Sequence, residues 1–364
     1  MTVRSPFRDP LLLILALATV LLQLFAADAA RVERWYSQGL YPPLSRGFRA
    51  ALGWIPFSVG DLLYGAAVVF LAWQLFRFLR NAFRRRVNYR NWARPLVRAA
   101  KIGLSVYLLF QLSWGLNYSR RDIARGLGLR LEAADTALLP GLAHLLQERL
   151  CTWGDRVDSV RRLRLARPAT LFAEAVAGYE HAAGPYPFLR YERPSIKPSL
   201  LSPVGHYFGF TGYYNPFSGE AQVHTGIPVF IRPFVVCHEI GHQLGYAKEN
   251  EANFAGFLAA RGSGNPDFIY AAYYEMYAYV TADYMALDPK EAYVLRRTAH
   301  IRVRRDRAEY RRYALRTQNS VEPLVMRFYD QYLKLNNQKK GIETYDEVVR
   351  WLLAYYKKHG ADGV

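Results

Sequence analysis

The chain is short of cysteine and of acidic residues. Two thiols in 364 residues, Cys151 and Cys237, exclude a disulfide framework and a zinc site built on cysteine thiolates. Asp and Glu number 30 against 48 Lys and Arg, a net charge of +18. Such a surplus raises nucleic acid as a partner, but no nucleic-acid recognition motif accompanies it. The chain also lacks internal repeats and low-complexity linkers.

Long apolar runs are present instead. Hydrophobic residues make up 51% and aromatics 15%, unevenly spread. Leu11–Ala30, Ile55–Phe76 and Ile102–Asn117 are apolar. They predict three transmembrane helices at about 11–30, 55–76 and 98–117. The first ends in a small-residue sequence like a signal-peptide cleavage site; its length and the two runs that follow favour a retained anchor. Arg77, Arg80, Arg84, Arg85, Arg86, Arg90, Arg94, Arg98 and Lys101 lie between the second and third runs. Their place marks a cytoplasmic loop under the positive-inside rule. The N-terminus is then inside, 31–54 an outer loop, and everything after residue 118 outside. Trp114 and Tyr118 suit an interfacial belt. The expected fold is mainly α with a small β-sheet. Residues 1–118 form the membrane region and 119–364 one extracytoplasmic domain. A bacterial inner or plasma membrane fits this layout.

After residue 118, Leu138–Trp153, Thr170–Ala183, Lys248–Ala260, Asp267–Leu287, Ala299–Arg316, Val321–Leu335 and Tyr345–Lys357 carry helical patterns. The stretch 194–226 is rich in Gly, Pro, Ser and alternating aromatics, which predicts short strands and turns. Tyr213–Val223, turning at Asn215–Gly219, is a candidate edge hairpin for an extended substrate. The arginines of 299–316 read as a solvated helix face, with anionic headgroups as the sharper alternative.

The chemistry gathers at His238-Glu239-Ile240-Gly241-His242. Four residues apart on a helix, the two imidazoles share a face and can hold one Zn²⁺, with Glu239 placed as general base. Pro228 is placed to open this helix and Gly245 to end it. A catalytic zinc needs a third protein ligand. A third histidine six residues after His242 is absent, because Lys248 stands there. Glu249 and Glu251 remain, and Glu249 shares a face with Ala252, Asn253 and Gly256. Small residues there allow close helix approach, and Asn253 can hold His238 through its second ring nitrogen. Tyr213, Tyr214, His206 and Tyr345 are candidate donors to a developing oxyanion by residue type.

His238-Glu239-x-x-His242 with Glu249-x-x-Ala252-Asn253-x-x-Gly256 resembles the gluzincin zinc metallopeptidases. In HtpX-type membrane proteases the third ligand begins an E-x-x-A-D-x-x-A helix. Here Asn253 and Gly256 replace Asp and Ala, and only six residues separate His242 from Glu249. Glu251-Ala252-Asn253-Phe254 is also similar to the ImmA/IrrE-type peptidases. The whole layout, with Tyr213–Val223, Cys237–His242 and Glu249–Phe254, resembles a bacterial family catalogued as domain of unknown function 3810. The resemblance implies a zincin-like domain and a membrane-anchored zinc peptidase. Its substrate would be a peptide or envelope protein; a zinc hydrolase of another amide and a noncatalytic zinc-binding envelope protein are the alternatives.

Overall fold

The computed structural model describes residues 9–83, 93–131, 135–336 and 347–364. Tyr345 and the basic residues Arg84, Arg85, Arg86 and Arg90 lie outside them. The described chain is mainly helical with one small sheet.

Helix α1 (Pro10–Ala26) starts on an Asp9 cap, whose carboxylate accepts the Leu12 amide at 3.1 Å. It stops four residues short of the expected 30. Asp28 caps the next short helix, α2 (Ala29–Arg31), and the chain bends by 91° there. The expected outer loop 31–54 is in fact helical: a π-helical stretch Val32–Leu40, then α3 (Tyr41–Leu52). Pro42 and Pro43 sit in the first turn of α3, where no amide is needed, so they start the helix and do not break it. Tyr41, Ser45 and Arg49 recur every four residues on its buried side.

Helices α4 (Val59–Phe83) and α5 (Ala93–Ser113) replace the expected 55–76 and 98–117. Their segments Val59–Asn81 and Pro95–Ser113 are long and apolar enough to cross a membrane. Pro10–Ala26 joins them only if counted with the bent segment that follows. Lys101, more than two turns into α5, pairs with Asp9 at 2.9 Å, which sets the start of α1 beside that helix. Trp114 and Tyr118 are not an interfacial belt. They are buried, in a cluster with Val32, Tyr36, Tyr41, Tyr214 and Ala247.

The remaining helices are α6 (Ile123–Gly126), α7 (Leu139–Arg156), α8 (Ser159–Arg164), α9 (Pro168–Ala182), α10 (Arg232–Gln243), α11 (Glu249–Arg261), α12 (Pro266–Leu287), α13 (Pro289–Thr298), α14 (Ile301–Thr317), α15 (Glu322–Leu335) and α16 (Glu347–Gly363). Their core holds Tyr179, Phe254, Phe257, Phe268, Tyr270 and Tyr277, all fully buried. The sheet has the order β1 (Ile196–Pro198), β3 (Glu220–Val223), β2 (Gly212–Asn215). β3 pairs parallel with β1 and antiparallel with β2, Tyr213 opposite Gln222. β2 is thus an edge strand, and its hairpin turns through Gly219 at φ 69°.

The sheet holds the head of α4. Fully buried Glu220 accepts the Gly60 amide at 2.6 Å and the Val59 amide at 3.2 Å. A carboxylate is the group a helix N-terminus favours. One residue on, Asp61 accepts the Leu200 amide at 2.7 Å and the hydroxyls of Ser199 and Tyr213.

Candidate metal centre

Helix α10 opens at Arg232 with Pro233 in its first turn; Pro228 stands ahead of a separate 3₁₀ turn, Val229–Ile231. It ends at Gln243, capped by Leu244, and Gly245 at φ 89° turns the chain back toward α11. The two helices meet through glycine. A methyl on Gly256 would stand 2.9 Å from the His238 amide nitrogen, and one on Gly241 3.3 Å from Ala252.

This approach brings the polar groups together. His238 Nδ1 lies 2.8 Å from Asn253 Oδ1, and His242 Nδ1 lies 2.8 Å from the Tyr246 carbonyl. With an acceptor at each Nδ1, each ring carries a proton there and turns its Nε2 inward. Both Nε2 atoms face Glu249 Oε2, at 3.3 Å from His238 and 3.7 Å from His242. Tyr329 of α15 donates its hydroxyl to the other oxygen, Glu249 Oε1.

Two acidic residues compete for third place. The ligand atoms of His238, Glu239 and His242 lie within 4.8 Å of one another. A metal ligand must be ionised, and of the two Glu249 is the one held in that form. Burial opposes its charge, but hydrogen bonds from His238 and His242 hold its carboxyl well below the usual range. Burial pushes Glu239 up to about 7, against the pull of His238 and His242 and with Glu249 adding to the rise. A group that takes and releases a proton near neutrality suits a base. His242 is raised to about 9: burial favours the neutral ring, and the hydrogen bond to Glu249 overrides it. The low Glu249 and the raised His242 are two sides of one buried ion pair. Glu251 faces elsewhere. Its Oε1 accepts the Ile123 amide at 3.0 Å, and burial lifts it to about 7.

The end of α10 is held from outside. Its last carbonyls need partners. The His242 carbonyl accepts from Trp114 Nε1 at 2.9 Å. The Gln243 carbonyl accepts from Tyr41, Ser45 and Arg49 at 2.8, 3.0 and 3.2 Å. Gln243 Nε2 donates to the Ser195 and Gly219 carbonyls, both at 2.8 Å, tying α10 to the sheet.

A cavity of about 710 Å³ opens beside these groups. β2 forms one wall, so close that a methyl on Gly212 would stand 2.5 Å from Glu239 Oε1. Tyr213 and Tyr214 both line the cavity. The Tyr213 hydroxyl is engaged by Asp61 and Ser199, and the Tyr214 hydroxyl stands 3.5 Å from that of Tyr41. The His206 ring lies against Tyr207, centroids 4.2 Å apart. Tyr329 escaped the sequence reading. Its only signal was the Met326, Tyr329, Leu333 spacing of one helical face.

The chain belongs to the family described as protein of unknown function (DUF3810), whose model matches residues 36–353. No curated protein and no solved structure matches it.

Proposed function

We propose that this family member is a membrane-anchored zinc metallopeptidase acting outside the cytoplasm. One observation carries the reading: three ionisable ligand atoms, each oriented by a further hydrogen bond, converge at 3.3 and 3.7 Å. Ligands about 2.0–2.1 Å from a tetrahedral ion stand roughly 3.3 Å apart. His238, His242 and Glu249 would hold the zinc, with Asn253, the Tyr246 carbonyl and Tyr329 orienting them. Zinc bound there supplies Lewis acidity, lowering the pKa of a water and polarising a carbonyl.

The chain's own residues do the rest. Glu239 Oε2 is buried with no protein hydrogen-bond partner among the described residues, which suits a base waiting for a water. It takes the proton of the attacking water and returns it to the leaving amine. β2, as an edge strand at the cavity wall, aligns an extended peptide by backbone pairing. The test is Glu239→Gln, purified in detergent. Expected are about one zinc per chain in both forms and a loss of peptide cleavage of about 10²–10⁴-fold in the variant. Zinc retained with no cleavage by either form leaves a noncatalytic zinc protein. No zinc in the wild type overturns the reading.

The orientation is part of the proposal. The basic run leads into α5 and ends at Lys101, whose pair with Asp9 ties the start of α1 to the first half of that helix. Positive charge inside then leaves α10 and the cavity outside. A reporter at the C-terminus should be extracytoplasmic, and a cytoplasmic signal refutes this.

A further inference from the structure

We infer that the cavity accepts a peptide bearing one N-terminal acyl chain, drawn from the membrane, with the chain against the aromatic wall and the amide at Glu239. The inference rests on the metallopeptidase reading and names its substrate class.

The wall is mainly apolar and is borrowed from the membrane helices. Tyr64 comes from α4, and Phe110 and Trp114 from α5, the two helices apolar enough to cross a membrane. The opposite wall is α15, through Met326, Tyr329 and Tyr332. Tyr332 packs edge-on against Phe110, centroids 6.2 Å apart, so α15 touches α5 directly. Outward, α15 exposes Leu324, Phe328 and Leu335 at 55, 69 and 85%. The segment at the other lip exposes Leu200 and Val204. An exposed apolar side on a helix packed against a membrane helix is the pattern of an element lying in the headgroup region. The cavity mouth then sits at the lipid surface.

Size decides what can enter. A helix is about 10 Å across. The 710 Å³ cavity therefore holds roughly 9 Å of one, under two turns. A folded transmembrane segment fills that volume in under two turns, whereas a single acyl chain or an extended peptide fits. The acyl chain is favoured because it already resides where the wall is. Moving it from lipid into an apolar cavity changes little in free energy. The gain is the local concentration of the attached peptide's bond beside Glu239. Hydrolysis adds one water: the C–N bond breaks, hydroxyl goes to the carbonyl carbon, and the proton goes to the leaving amine.

The test uses the full chain in nanodiscs with two readouts. The first is photo-crosslinking of Glu239→Gln with a tetradecanoyl pentapeptide carrying a diazirine on the chain. Adducts are expected on the cavity-lining residues Phe110, Phe210 or Met326. Adducts confined to outward residues such as Val69 and Leu71 overturn the inference. The second compares hydrolysis by the wild type of tetradecanoyl and acetyl forms of one peptide. The acylated form is expected to be cut about tenfold faster or more. Equal rates overturn the inference and leave the peptidase reading intact. Cavity adducts with bound zinc and no cleavage of either peptide sink the peptidase reading and keep the acyl-chain site.

Discussion

Helices α10 and α11 are built for one surrounding, and α4 and α5 for another. In α11 every residue from Glu249 to Ala260 is buried, including four that are acidic or amide-bearing near its start, Glu249, Asn250, Glu251 and Asn253. Each polar side chain there is placed by a specific partner, as Glu249 is by two histidines. On α4, Val68, Val69, Phe70 and Leu71 are 48–70% exposed, a surface that water would not tolerate in a row. Yet the two regions complete each other at one end. The amides opening α4 are capped by Glu220 of the sheet, and the carbonyls closing α10 are capped by Tyr41, Ser45, Arg49 and Trp114. The lesson is that the site is braced by the membrane-proximal segment, while farther along the apolar helices α1 and α5 are tied mainly to each other, through Lys101–Asp9 and Gln23–Tyr107.

The sharpest way to break that comparison is Glu220→Ala. The change leaves the Val59 and Gly60 amides and the Ser218 hydroxyl without their buried acceptor. A loss of about 3 kcal/mol or more is expected, read as a fall in thermal stability in detergent. Val69→Ala, on the exposed length of α4, should cost less than about 0.5 kcal/mol there. Equal losses would mean that the head of α4 is not anchored by the sheet.

Within the buried pair, Asn253→Ala removes the partner of His238 Nδ1 and leaves the ligands in place. Losing an orienting partner of this kind costs roughly 10–100-fold in metal affinity, measurable by competition with a chelator. Glu251→Ala should leave zinc affinity within a few-fold, because its carboxylate faces Ile123. The reverse order would move the third ligand from Glu249 to Glu251.

The motif, its helix, the glycine stop and the following helix were legible because each depends on spacing within a dozen residues. The mainly helical body and the Tyr213–Val223 hairpin were legible for the same reason. What was not legible depends on contacts far apart in sequence. Residues 31–54 look like a polar loop until Tyr41, Ser45 and Arg49 meet the Gln243 carbonyl, about 200 residues away. Trp114 looks like an interface anchor until His242 is found at its Nε1. Tyr329 was invisible as a partner of Glu249, since nothing local says where α15 packs.

Glu275 of α12 gives the finest test of how buried charge is handled. Glu249 stays ionised because histidines face it, whereas burial alone pushes the Glu275 carboxyl up to about 7. Tyr274, Tyr279 and Tyr310 lie near it, and none offers positive charge at neutral pH. In the unfolded chain a glutamate ionises near pH 4.5. Between that pH and about 7 the native state keeps a proton that the unfolded state has lost, so stability falls as pH rises through this window. Below it both states are neutral, and above it the penalty is constant. Glu275 is not fully enclosed, which lowers the expected effect to about 1 kcal/mol. Glu239 and Glu251, also raised to about 7, contribute a slope of the same sign, so only a difference isolates Glu275. The Glu275→Gln variant should therefore gain on the wild type by about 1 kcal/mol between pH 4 and pH 8. Parallel stability curves would show that Glu275 ionises as it does in water, and that the body around α11 tolerates an unpaired charge after all.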